Sequence, residues 1–103
     1  VGLFHVAASA EFSLILDQDA PGFKANEKAI ALLGKKDALA ALQILQQALR
    51  QRPHSVQLQN SVGVVFMYLA KSGHGLKEQL EEAAREAFRV TEKLAEKGLE
   101  PSP

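Results

Sequence analysis

Three histidines are the side chains here with the widest chemistry, because imidazole can bind a metal or exchange a proton near neutral pH. His5, His54 and His74 lie far apart in the sequence. None of them shares a predicted helix with a second histidine or carboxylate at the three- or four-residue spacing of a helical metal site. We therefore interpret His5 as a partly buried side chain and the other two as turn or cap residues.

The hydroxyl and carboxylate groups give no stronger indication of a catalytic or metal-binding site. No serine has the sequence context of a nucleophile elbow, and the glycines at 73 and 75 are not followed by the Lys-Ser or Lys-Thr of a phosphate loop. Three carboxylates lie near the beginning of the last helical segment: Glu78, Glu81 and Glu82. Negative charges at this end of a helix interact favourably with the helix dipole, which explains them better than acid–base chemistry does. We predict no enzyme, no metal site and no cofactor.

Composition narrows the class of partner. The 103 residues are 47% hydrophobic and 23% charged, as in an ordinary globular domain, and the 12 Lys and Arg balance the 12 Asp and Glu. A neutral chain lacks the charge of a nucleic-acid binder and gives no reason to expect a membrane surface. The absence of cysteine excludes disulfides and thiolate metal sites. No signal peptide is visible, and we expect a cytoplasmic protein.

The elements that position any site are predicted to be helices. Runs rich in Ala, Leu, Gln, Lys and Glu alternate with breakers, which divides the chain into about five helical segments. Asp19, with Pro21 in the first turn, and Ser55, just after Pro53, are the predicted N-caps. The first segment is the least regular, because FSLIL (12–16) could form a strand. Since no partner strand is apparent, we predict a helix over residues 1–18.

One helix carries a pattern that recurs. In ALQILQQALRQRP (41–53) a small residue, a large one four positions on and a small one three further are followed by Pro53. The same four-then-three step occurs earlier at Ala8, Phe12 and Ile15, and later at Ala84, Phe88 and Thr91. The helices between these segments show a constant interval of 34 residues. It separates Asn26 from Asn60, Ala29 from Gly63, and Leu32 from Phe66. We interpret this as a repeat with an insertion near 71–79.

The sequence resembles the tetratricopeptide repeat, which has a helix–turn–helix period of about 34 residues. The residues that carry the resemblance are Ala41, Leu45, Ala48 and Pro53 at the end of the first period. The resemblance implies an all-α fold of antiparallel helical hairpins, stacked as a short right-handed superhelix of about five helices. The main alternative is an unrelated antiparallel helical bundle. The expected divisions are an N-terminal helix as a half-repeat (1–18), repeat 1 (19–53), repeat 2 (54–100) and a tail (101–103).

The resemblance also implies a binding groove lined by the first helix of each hairpin. The implied partner-binding residues are the non-core positions near each small residue: Phe23, Asn26, Glu27, Ile30, Gln57, Asn60, Ser61 and Val64. Asn26 and Asn60 are expected to face solvent, where an amide can both donate to and accept from a peptide backbone. Lys24 and Lys28 have no counterpart on the next first helix before Lys71, which disfavours a clamp for a terminal carboxylate.

Two functions of different classes follow. The first is a scaffold or adaptor module, part of a larger protein, that binds a peptide or protein in the groove. The second is a structural segment that forms a homodimer through its open repeat ends, for example in the tail of a bacterial signalling regulator. Phe4, Phe12 and Leu16 would form the covered patch in that case.

Overall fold

The computed structural model describes residues 2–6, 9–16, 22–73 and 75–97. Within these ranges a β-hairpin precedes four α-helices. The helices are α1 (Phe23–Gly34), α2 (Ala38–Gln51), α3 (Val56–Ser72) and α4 (Lys77–Lys97). The predicted helical class is confirmed for this part of the chain, where the four helices correspond to the second to fifth predicted segments.

The N-terminal segment is a hairpin, and the helix predicted over 1–18 is wrong. Strands β1 (Gly2–Val6) and β2 (Ser9–Leu16) pair antiparallel, with Gly2 opposite Leu16 and His5 opposite Ser13, and the register shifts between His5 and Val6. The partner strand of FSLIL is the segment directly before it. A pattern of mixed apolar and small residues is ambiguous between helix and strand, and pairing decides between them.

The helix boundaries follow from capping residues. The Ser55 hydroxyl accepts from the Leu58 backbone N–H at 3.3 Å, which confirms Ser55 as the N-cap of α3. Asp37 caps α2 in the same way through the Ala40 N–H. Gly73 ends α3 with a φ of 77°, a left-handed conformation that suits glycine. The predicted cap at Asp19 lies outside the described residues.

Helix α3 is the centre of the fold. It packs against α1, α2, α4 and β2. The consecutive residues 60–65 are all buried, and at about 3.6 residues per turn they cover every side of the helix. The remaining apolar core comes mainly from the facing sides of α1, α2 and α4, including Ala29, Leu33, Ala41, Leu45, Ala84 and Phe88.

Helices α3 and α4 approach each other closely at Gly63. A Cβ atom added to Gly63 would lie 2.4 Å from Cε1 of the Phe88 ring. The ring therefore occupies the space that any side chain at this position would need. Gly63 is therefore a close-packing position, and Ala41 on α2 is also fully buried.

The helices of the second pair are longer than those of the first. α3 has 17 residues against 12 in α1, and α4 has 21 against 14 in α2. The buried side of α4 is formed by Ala84, Ala87, Phe88, Thr91 and Leu94, and its outer side carries the ion pairs Glu82–Arg85 and Glu86–Arg89. The extra residues near 71–79 thus extend two helices around a short turn.

Candidate binding face on the first helices

The eight residues predicted to bind a partner lie on α1 and α3, which pack side by side. Their exposure differs from the prediction. Glu27 is exposed, whereas Phe23 and Ile30 are half-buried. The other five are buried, namely Asn26, Gln57, Asn60, Ser61 and Val64. An open polar groove on this face was therefore a wrong expectation for most of the set.

Asn26 is the junction of a buried polar cluster. Its Nδ2 donates to Oε1 of Gln57 at 3.3 Å, and its Oδ1 accepts from the Ser61 hydroxyl. Gln57 and Ser61 lie one turn apart on α3, so a single side chain of α1 reaches both. All three residues are at most 1% exposed. Buried polar groups are normally satisfied in this way, and the cluster fixes the register of α1 against α3.

The expectation that Asn26 and Asn60 face solvent is wrong. Asn26 is 0% exposed and Asn60 4% exposed, although both stand at matched positions of the repeat. Polarity alone placed them on the surface in the prediction. The sequence contained one usable signal of a buried polar cluster. Gln57 and Ser61 lie close to Asn60 on the same helix, and both can form a hydrogen bond with an amide side chain.

Strand β2 lies against the same pair of helices. It contacts α3 and, to a smaller extent, α1. An extended segment of the chain is therefore in contact with both helices on which an extended partner was expected. Phe4 belongs to β1, and Phe12 and Leu16 belong to β2. The exposure of their side chains lies outside what the structure describes.

The cluster has no ionisable member, so it can hold and orient groups but cannot exchange protons at neutral pH. His54 is exposed in the turn before α3, His5 lies in β1, and His74 is outside the described residues. Among the residues that are described, no three or more His, Asp or Glu are placed to hold a metal ion. The chemistry of this face is therefore hydrogen bonding and apolar contact.

Sequence reasoning missed a second feature, a groove on the outer side of α1 and α2. Its volume is about 360 Å³, and it is lined by Lys24, Ala25, Lys28, Ile44, Gln47, Ala48 and Gln51. The two lysines were noticed only as an incomplete carboxylate clamp. The groove depends on how α1 and α2 pack, which spacing along one helix does not reveal.

Comparison with family models, curated proteins and solved structures found no match for this chain. In the described ranges, no helix combines the length and the apolar character needed to cross a membrane.

Proposed function

We propose that this chain is a non-enzymatic protein-interaction module that stacks two helical hairpins in the manner of the tetratricopeptide repeat. Its first helices, α1 and α3, would share a face that takes an extended peptide segment. The observation that carries the proposal is the position of β2 across α3 and α1. The chain's own strand is an extended segment in contact with the two helices that would form the binding face, which supports an extended ligand.

The spacing of the helices supports the stacked arrangement. Successive helices pack as neighbours, and α1 also packs against α3, as expected when a second hairpin follows the first. The small residues that the repeat needs are at matching places, Ala29 on α1 and Gly63 on α3. We propose a cytoplasmic adaptor within a larger protein.

The seated strand leads to a binding test. A protease site is inserted between Leu16 and Gly22, the chain is cut, and the strand fragment is removed. A fluorescent synthetic peptide of residues 2–16 is then added, and its anisotropy is measured. We expect saturable binding, and weak binding of a scrambled peptide. A cut chain that keeps its helical circular dichroism but does not bind the peptide would contradict the proposal.

A matched pair of variants locates the binding face. Ile30 is half-buried on α1, and Ala31 beside it is exposed. A charge at the apolar contact should disrupt packing, so Ile30→Glu is expected to weaken peptide binding about tenfold or more. Ala31→Glu adds the same charge to the same helix and should leave the affinity unchanged. Equal effects of both variants would place the contact elsewhere.

A homodimer is the second candidate, and the outer side of α2 favours it. This helix has no charged residue from Ala38 to Leu49, and Leu39 is 58% exposed. Leu39 borders a shallow hollow with Ala40, Leu42, Gln43 and Gln46. An uncharged face can meet the same face of a second copy without like-charge repulsion. Sedimentation equilibrium of the intact chain decides between one copy and two.

A further inference from the structure

The outer groove between α1 and α2 is larger than the lining described above. A second hollow of about 380 Å³ adjoins it and shares Lys24, Ala25, Ala48 and Gln51 with it. This hollow adds Gly22 and Phe23 at the beginning of α1 and Arg52 at the end of α2. Together the two form one trough along the α1–α2 seam, which we name the seam groove.

The floor of the seam groove suits a helix. Ala25 and Ala48 are small and half-buried, and Ile44 adds an apolar side chain in the first of the two hollows. Small residues on two adjacent helices leave a depression into which the ridge of a third helix can pack.

The second hairpin contains the corresponding cleft. The repeat interval that pairs Asn26 with Asn60 also pairs Lys24 and Lys28 with Leu58 and Val62 on α3. Both counterparts are buried, and α2 packs against α3. The positions that are apolar and buried in the second hairpin are thus charged and exposed in the first.

The rim of the seam groove is positively charged. Lys24 and Lys28 lie one turn apart on α1, both exposed, and Arg52 is exposed at the far end. Within the described ranges none of the three forms an ion pair. Although the chain is neutral, residues 22–55 contain an excess of cations: Lys24, Lys28, Lys35, Lys36, Arg50 and Arg52 against Glu27 and Asp37.

We propose that the seam groove docks an amphipathic helix of a partner protein, with small apolar residues on its contact side and Glu or Asp beside them. The apolar stripe packs on Ala25, Ile44 and Ala48, and the carboxylates meet Lys24, Lys28 and Arg52. This inference rests on the proposed interaction role but uses a different face from the one that β2 covers.

The test uses the intact ¹⁵N-labelled chain and three synthetic helical peptides. The first has an Ala/Leu stripe flanked by glutamates, the second has lysine in place of each glutamate, and the third is a scramble of the first. Chemical shifts are followed during titration. We expect the acidic peptide to shift the amides of Lys24, Ala25, Lys28, Gln47 and Ala48, and the lysine peptide and the scramble to bind at least about tenfold more weakly.

Charge reversal is the decisive control. The Lys24→Glu plus Lys28→Glu variant should lose affinity for the acidic peptide by about tenfold or more and gain affinity for the lysine peptide. Lys93→Glu plus Lys97→Glu makes the same change at exposed positions of α4 and should alter neither. Shifts outside the seam groove, equal binding of the scramble, or unchanged preference after reversal would each overturn the inference. None of these outcomes affects the strand-peptide test, which reads the α1–α3 face.

Discussion

Replacing Gly63 with leucine is expected to lower the free energy of unfolding by on the order of 1–3 kcal/mol, because it overpacks the contact between α3 and α4. Even Gly63→Ala should destabilise the protein, since its Cβ would lie 2.4 Å from the Phe88 ring. In an open helix the same change would stabilise by about 0.5–1 kcal/mol. The sign of the alanine effect therefore reports the packing, and urea unfolding measures it.

Gly34 provides the matched control. It is the last residue of α1, and a Cβ added there would meet nothing within 4 Å. Gly34→Ala should be neutral or slightly stabilising. The double variant Gly63→Ala plus Phe88→Leu should recover part of the loss if the ring is the obstacle. An unchanged unfolding midpoint for both Gly63 variants would mean that α3 and α4 do not approach as described, and the repeat alignment would fail with them.

Replacing Asn26 with alanine is the second large expected effect. The change removes one hydrogen-bond partner from Gln57 and one from Ser61, and a buried polar group left unsatisfied costs about 1–3 kcal/mol. Glu27→Ala, at the exposed neighbouring position, should change stability by no more than about 0.5 kcal/mol. The Asn26→Ala plus Asn60→Ala double variant is accordingly expected to destabilise the fold, because both side chains are buried.

A double-mutant cycle separates the hydrogen bond from general truncation. Asn26→Ala and Ser61→Ala act on the same bond, so their effects should be less than additive. Paired with a distant change such as Arg89→Ala, Asn26→Ala should be additive. Additivity of the Asn26 and Ser61 variants, or a stability equal to that of the Glu27 variant, would show that the cluster does not join α1 to α3.

The helices were predictable because their signals are local. The apolar spacing of Ala41, Leu45 and Ala48 defines one side of α2, and Ser55 after Pro53 marks the beginning of α3. The repeat pattern matched Ala29 with Gly63 and so indicated a small residue at the position where the Phe88 ring packs. Short-range spacing and one repeat interval were enough for these features.

The features that were missed depend on contacts distant in sequence. The segment FSLIL became a strand because residues 2–6 pair with it, and its own pattern does not choose between helix and strand. Asn26 is buried because its partners, Gln57 and Ser61, lie far along the chain on α3. The seam groove is formed by residues of both α1 and α2. Its cations and its apolar residues therefore come together only when the two helices pack.

The position of β2 across α3 and α1 is the observation on which the proposed function depends, and a spin label tests it directly. The chain has no cysteine, so Ser13→Cys in β2 creates a single attachment site for a nitroxide. Paramagnetic broadening of backbone amides is then measured in the intact protein. We expect the strongest broadening along residues 57–64 of α3, weaker broadening in α1, and the least on the outer side of α2. Broadening that spares α3, or is strongest on α2, would contradict this position of β2.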